Sequence, residues 1–74
     1  MTNIPNLLKA FETEAIQVVL MEEKGKYFYK EVGMLATNEH EMIKEFNTFE
    51  EAIEFYGTIF MVLKHNGVKI LKTF

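Results

Sequence analysis

The chain contains no Asp, Ser, Cys, Arg or Trp, and a single Pro. Each absence closes a route. Without Ser and Cys the usual nucleophiles are missing, and Thr needs an activating base to replace them. Without Cys there is no disulfide and no thiolate metal site, and a Cys-free chain with no targeting signal is expected in the cytoplasm. Without Arg there is no bidentate grip on phosphate. Residues 1–5 lack the basic start and apolar core of a secretory signal. The apolar run at residues 59–63 falls far short of the roughly 18–20 residues of a membrane span. No membrane partner and no cofactor are expected.

What is there is equally lopsided. All eleven acids are Glu, all eight bases are Lys, and every Glu lies between Glu12 and Glu54. Residues 1–56 hold eleven Glu and five Lys, a net −6, whereas residues 57–74 hold Lys64, Lys69 and Lys72 and no acid, a net +3. At 49% apolar, with seven Phe, five Met and three Tyr, the chain has ample material for one core. Seventy-four residues make one small domain. Chains of this size bury only about 60% of their unfolded surface, so packing or a second chain must supply stability.

The pattern predicts an α+β fold in the order α-β-β-β-α-β. The Asn3-Ile4-Pro5-Asn6 start, followed by Leu7, Leu8 and Phe11, suits a short N-terminal helix. Residues 15–21 are rich in β-branched side chains. Both faces of this strand are mostly apolar, so it is expected to be central or covered on both sides. Glu22-Glu23-Lys24-Gly25-Lys26 fits a hairpin turn into a second strand at residues 27–32. Residues 33–38 read as a loop and residues 41–46 as a third strand. Thr48-Phe49-Glu50-Glu51 is a capping box opening a helix over residues 49–65. Phe49, Ala52, Ile53, Tyr56, Phe60 and Leu63 form its core face. Asn66-Gly67 stops it, and residues 68–72 close as a short strand. The sheet so built has three to four strands with the long helix on one face.

Little in this set carries chemistry. His40 lies between Glu39 and Glu41, and His65 at a helix end. Neither has the neighbours a zinc site needs, so both read as surface residues. The four Gly are isolated, which rules out a phosphate loop. Lys24, Lys26 and Lys30 around Tyr27, Phe28 and Tyr29 read as a hairpin with solvated Lys and core aromatics, not as a stacking platform. A negative chain without Arg is a poor direct ligand for nucleic acid. Neither a catalytic residue nor a metal ligand is assigned.

Two features point to contact. Glu39, Glu41 and Glu45 precede the helix, and Glu50, Glu51 and Glu54 stand on it. Glu50 and Glu51 suit the positive helix N-terminus, but the others have no such local reason. Together they could imitate DNA phosphates before a basic groove. Phe55, Ile59 and Val62 form a side stripe that widens the apolar arc of the helix. Either the N-terminal helix covers that stripe or a second copy does, which makes a homodimer the expected oligomer.

This profile resembles the small acidic inhibitors that phages use to take over or disarm bacterial hosts, and among them the sliding-clamp inhibitors of staphylococcal phages. The Lys-only, Asn-, Ile- and Phe-rich usage is what an AT-rich coding sequence gives, as in a low-GC bacterium or its phages. Gln17-Val18-Val19-Leu20-Met21 is similar to the bacterial clamp-binding pentapeptide, with Gln first and Leu fourth and Met21 where Phe is usual. Because that segment falls in an expected core strand, the acidic face is the expected contact. The resemblance implies a non-enzymatic protein in the host cytoplasm that binds a replication protein, the sliding clamp first, as a DNA mimic. The alternatives are an anti-CRISPR or other anti-defence inhibitor, and a structural module that oligomerises through Phe55, Ile59 and Val62.

Overall fold

A computed structural model describes residues 5–33 and 40–74. The Asn3 cap, most of the 33–38 loop and Glu39 lie outside the described residues. Five strands and one helix follow in the order β1 (Asn6–Glu12), β2 (Ile16–Glu23), β3 (Lys26–Gly33), β4 (Glu41–Phe46), α1 (Phe49–His65) and β5 (Lys72–Thr73). They form one antiparallel sheet in the spatial order β4-β3-β2-β1-β5, with α1 laid on one face. The α+β class stands. The N-terminal helix does not: residues 6–12 are a strand, and the sheet has five strands where three to four are expected.

That difference has a physical cause. Strand β2 is apolar and β-branched, and a central strand needs a hydrogen-bonded neighbour on each side. Strand β3 supplies one and β1 the other. The turn joining β1 to β2 is tied by Thr13, whose buried hydroxyl accepts from the Ala15 and Ile16 amides, each at 3.1 Å. The β2–β3 turn places Lys24 at φ 53° and Gly25 at φ 80°. Two successive positive φ angles give the turn whose twist matches the flanking strands.

Pleat parity sorts the side chains. Phe11, Val18, Leu20 and Tyr29 point to α1 and are fully buried with Ala52, and Tyr56 is buried beside them. Phe11 meets Tyr56 and Phe60 edge-on, with ring centroids 5.5 and 5.2 Å apart. The opposite face carries Val19, Met21, Phe28, Val32 and Ile43, with Leu7 at one end. No described element covers that face. Strand β2 is therefore central, as expected, and among the described elements α1 covers it on one face.

The helix spans the expected residues and ends at Gly67, with φ 81°. Ala52 and Tyr56 are buried and Ile53, Phe60 and Leu63 pack on the core as expected, and the contact face widens to Phe55 and Ile59 because α1 lies over β2, β3 and β4. Phe55 meets Tyr29 edge-on at 4.8 Å and Phe46 at 5.5 Å, and Ile59 packs on the core beside it. Of the expected side stripe only Val62 stays half-exposed. The sheet packs against Phe55, and residues 6–12, expected as a covering helix, are a strand. Phe49, placed by spacing in the core face, instead lies on the rim against Tyr27. Strand β5 is shorter than expected and lies further along: residues 68–71 connect, and Lys72–Thr73 pair with Glu12 and Phe11. Ile70 still packs on the core.

Candidate functional site

The acidic residues divide by element. Strand β4 is the sheet's edge, and Glu41 and Glu45 lie opposite Val32 and Phe28, on the pleat turned away from α1. Glu50, Glu51 and Glu54 occupy the first two turns of α1, which lies on the other face, and all three are exposed. The fold thus brings the helix carboxylates together in one patch and Glu41 and Glu45 in another.

Local chemistry builds the helix patch. Thr48 is extended, at φ −129° and ψ 152°, and its hydroxyl accepts the Glu51 amide at 3.2 Å. The same hydroxyl lies 3.0 Å from a Glu51 carboxylate oxygen, so the capping box closes side chain to side chain. Glu50 and Glu51 sit where the helix dipole favours anions. Glu54, one turn on, has no Lys three or four residues away and stands beside Glu50, a mildly unfavourable pairing. Among the described residues Lys26 pairs with Glu45 at 3.0 Å, and His40 Nε2 contacts Glu31 at 2.7 Å. Glu41, Glu50, Glu51 and Glu54 take part in neither.

The second pair belongs to a chain of contacts that residue patterns did not show. The Tyr29 hydroxyl donates to Glu31 at 2.7 Å, and the other Glu31 oxygen meets His40 Nε2. Burial, then the hydrogen bond to Glu31 and its charge, push the Tyr29 phenol well above its ordinary range. Burial raises Tyr56 as well. Tyr29 is thus held protonated as a donor inside the core. The two-residue spacing of Tyr29 and Glu31 puts them on one pleat. His40 joins only through the β3–β4 register, which sequence spacing could not supply. At the opposite end of the sheet, Glu22 accepts from Asn6 Nδ2 at 2.8 Å and from the Gly25 amide at 3.0 Å, and both bonds lower its pKa. No group of three or more His, Asp or Glu suited to a metal occurs among the described residues.

Because α1 leaves the outer part of β1 and β5 uncovered, an apolar groove of about 430 Å³ opens there, lined by Lys9, Ile53, Tyr56, Phe60, Met61 and Phe74. The segment similar to the clamp-binding pentapeptide lies in the middle of the sheet. Val18 and Leu20 are fully buried in β2, with β1 and β3 hydrogen-bonded on either side. To enter a partner's pocket, Leu20 would have to leave the core. None of the described helices is long and apolar enough to cross a membrane. Comparison with family models, curated proteins and solved structures gives no match.

Proposed function

We infer that this protein works by contact, as a non-enzymatic phage inhibitor that seats its acidic helix end on a basic surface of a bacterial DNA-handling protein. The observation that carries the reading is the patch Glu50, Glu51 and Glu54, exposed on two successive turns and outside the Lys26–Glu45 and His40–Glu31 contacts. Three carboxylates held on a rigid helix present charge at fixed spacing, as a phosphate backbone does. They favour a surface that evolved to bind DNA. The sliding clamp, whose channel encloses duplex DNA, is the proposed partner, in the host cytoplasm. The core position of Leu20 favours the acidic patch over the pentapeptide-like segment as the contact.

The triple variant E50Q/E51Q/E54Q tests this. Gln at position 51 preserves the capping box, so folding is retained while three charges are removed. Binding to the purified clamp should weaken at least tenfold, about 1.4 kcal/mol or more. The dependence of affinity on salt should flatten. Equal affinity and an equal salt slope for both proteins would reject the acidic helix end as the contact.

A further inference from the structure

Among the described strands β4 is an edge, with one hydrogen-bonding side that none of them meets. The Gly33 amide donates to the His40 carbonyl at 2.7 Å, and this pair continues the β3–β4 register. Hydrogen-bonded and non-hydrogen-bonded pairs alternate along an antiparallel ladder. Met42, Lys44 and Phe46 therefore turn their peptide groups towards β3. Glu41, Ile43 and Glu45 turn theirs outward, where no described strand meets them. The side chains of these same three residues stand on the sheet face that α1 leaves uncovered.

Native edges are commonly blunted by bulges, prolines or brevity. The other edge shows two of these devices, with an irregularity in β1 between Leu7 and Lys9 and a β5 of only two residues. Strand β4 has six residues, no proline and an unbroken register. Among the described residues its protection is charge alone. Two-fold pairing with a second copy at full overlap would set Ile43 against Ile43 and Glu41 against Glu45 twice, and like charges directly opposite are destabilising. The same two carboxylates favour a strand of opposite sign.

We propose that the outer edge of β4 accepts an extended basic segment of a partner protein, paired antiparallel as a sixth strand. The segment places Lys or Arg opposite Glu41 and Glu45 and a β-branched apolar residue opposite Ile43. Main-chain hydrogen bonds to Glu41, Ile43 and Glu45 hold it, and alternate side chains select it. Lys26 already contacts Glu45, but both side chains are about half-exposed. Such a pair is weak, and its carboxylate can serve a second cation. Lys44 does not compete, since it lies on the other pleat with its ammonium 4.8 Å from the centre of the Phe55 ring. This site shares no residue with Glu50, Glu51 and Glu54, and stands or falls without them.

The test is an amide-resolved NMR titration of the whole protein with a capped nine-residue peptide centred on Lys-Thr-Val-Thr-Lys, against a control with Glu for both Lys. The Lys peptide should shift the amides of Glu41, Ile43 and Glu45 and slow their hydrogen exchange about tenfold. The control should bind roughly tenfold more weakly or not at all. E41Q/E45Q should abolish the preference for Lys. I43P should abolish pairing with the α1 amides unchanged, because proline cannot donate outward. Equal binding of the two peptides, no binding, or shifts confined to α1 would overturn the proposal. Protection of the same amides without peptide, rising with protein concentration, would overturn it in favour of a second copy.

Discussion

Tyr29 joins core packing to charge: a fully buried ring beneath Phe55, with its hydroxyl on Glu31. Its phenol and that of Tyr56 ionise above the ordinary range in the folded protein, mainly because burial disfavours the phenolate. In the unfolded chain tyrosines lose their protons near pH 10. Above that pH the native state therefore binds more protons than the unfolded state, and stability falls as pH rises. Urea unfolding from pH 8 to pH 11 should show this loss. Y29F should cost about 1 kcal/mol at pH 8, where the bond to Glu31 disappears. Its deficit should shrink towards pH 11, since one of the two raised phenols is gone. A constant deficit across the range would assign the alkaline loss to other groups. Glu22 works in the opposite direction: its lowered pKa adds stability that fades as the pH falls below the ordinary carboxylate range, and its exposure keeps the effect small.

At the scale of elements, α1 shows what local chemistry can specify. Thr48, Glu51, Asn66 and Gly67 mark both ends by themselves, since caps are satisfied within a few residues. T48A should cost about 1 kcal/mol with the fold retained, read as a shift in urea midpoint with unchanged slope. Strand β1 shows the opposite case. Leu7, Leu8 and Phe11 have helical spacing because the register shifts between Leu7 and Lys9, which breaks the alternation that marks a strand. Only the need of β2 for a second neighbour reveals it, and that is a tertiary fact. The β2–β3 hairpin was legible through Lys24-Gly25. The placement of Phe55 was not, because spacing along a helix fixes an arc but not how the arc is turned on the sheet. The same limit applies to the acidic residues. Their exposure could be expected from charge, but their division between the β4 edge and the helix end depends on strand parity and on which face α1 covers.

For the whole molecule, one layer of helix on five strands leaves a thin core. Phe11 stands at its centre against Tyr56, Phe60 and the β5 pairing. F11A should remove about 3–5 kcal/mol. That is a large share of the roughly 4–11 kcal/mol expected for a chain of this length, so loss of the cooperative thermal transition near room temperature is the expected reading. The sheet face that α1 does not cover and the groove beside Lys9 are consequences of the same single layer. The proposed contact makes a claim at this scale too, because a rigid acidic helix end imitating phosphate must exclude DNA from its partner. The direct measurement is fluorescence anisotropy of labelled duplex DNA held by the bacterial sliding clamp, titrated with this protein. DNA should be displaced along a competitive isotherm, and E50Q/E51Q/E54Q should need at least about tenfold more protein to do it. Binding to the clamp in a stable ternary complex with DNA, or no binding to the clamp at all, would contradict the proposed contact.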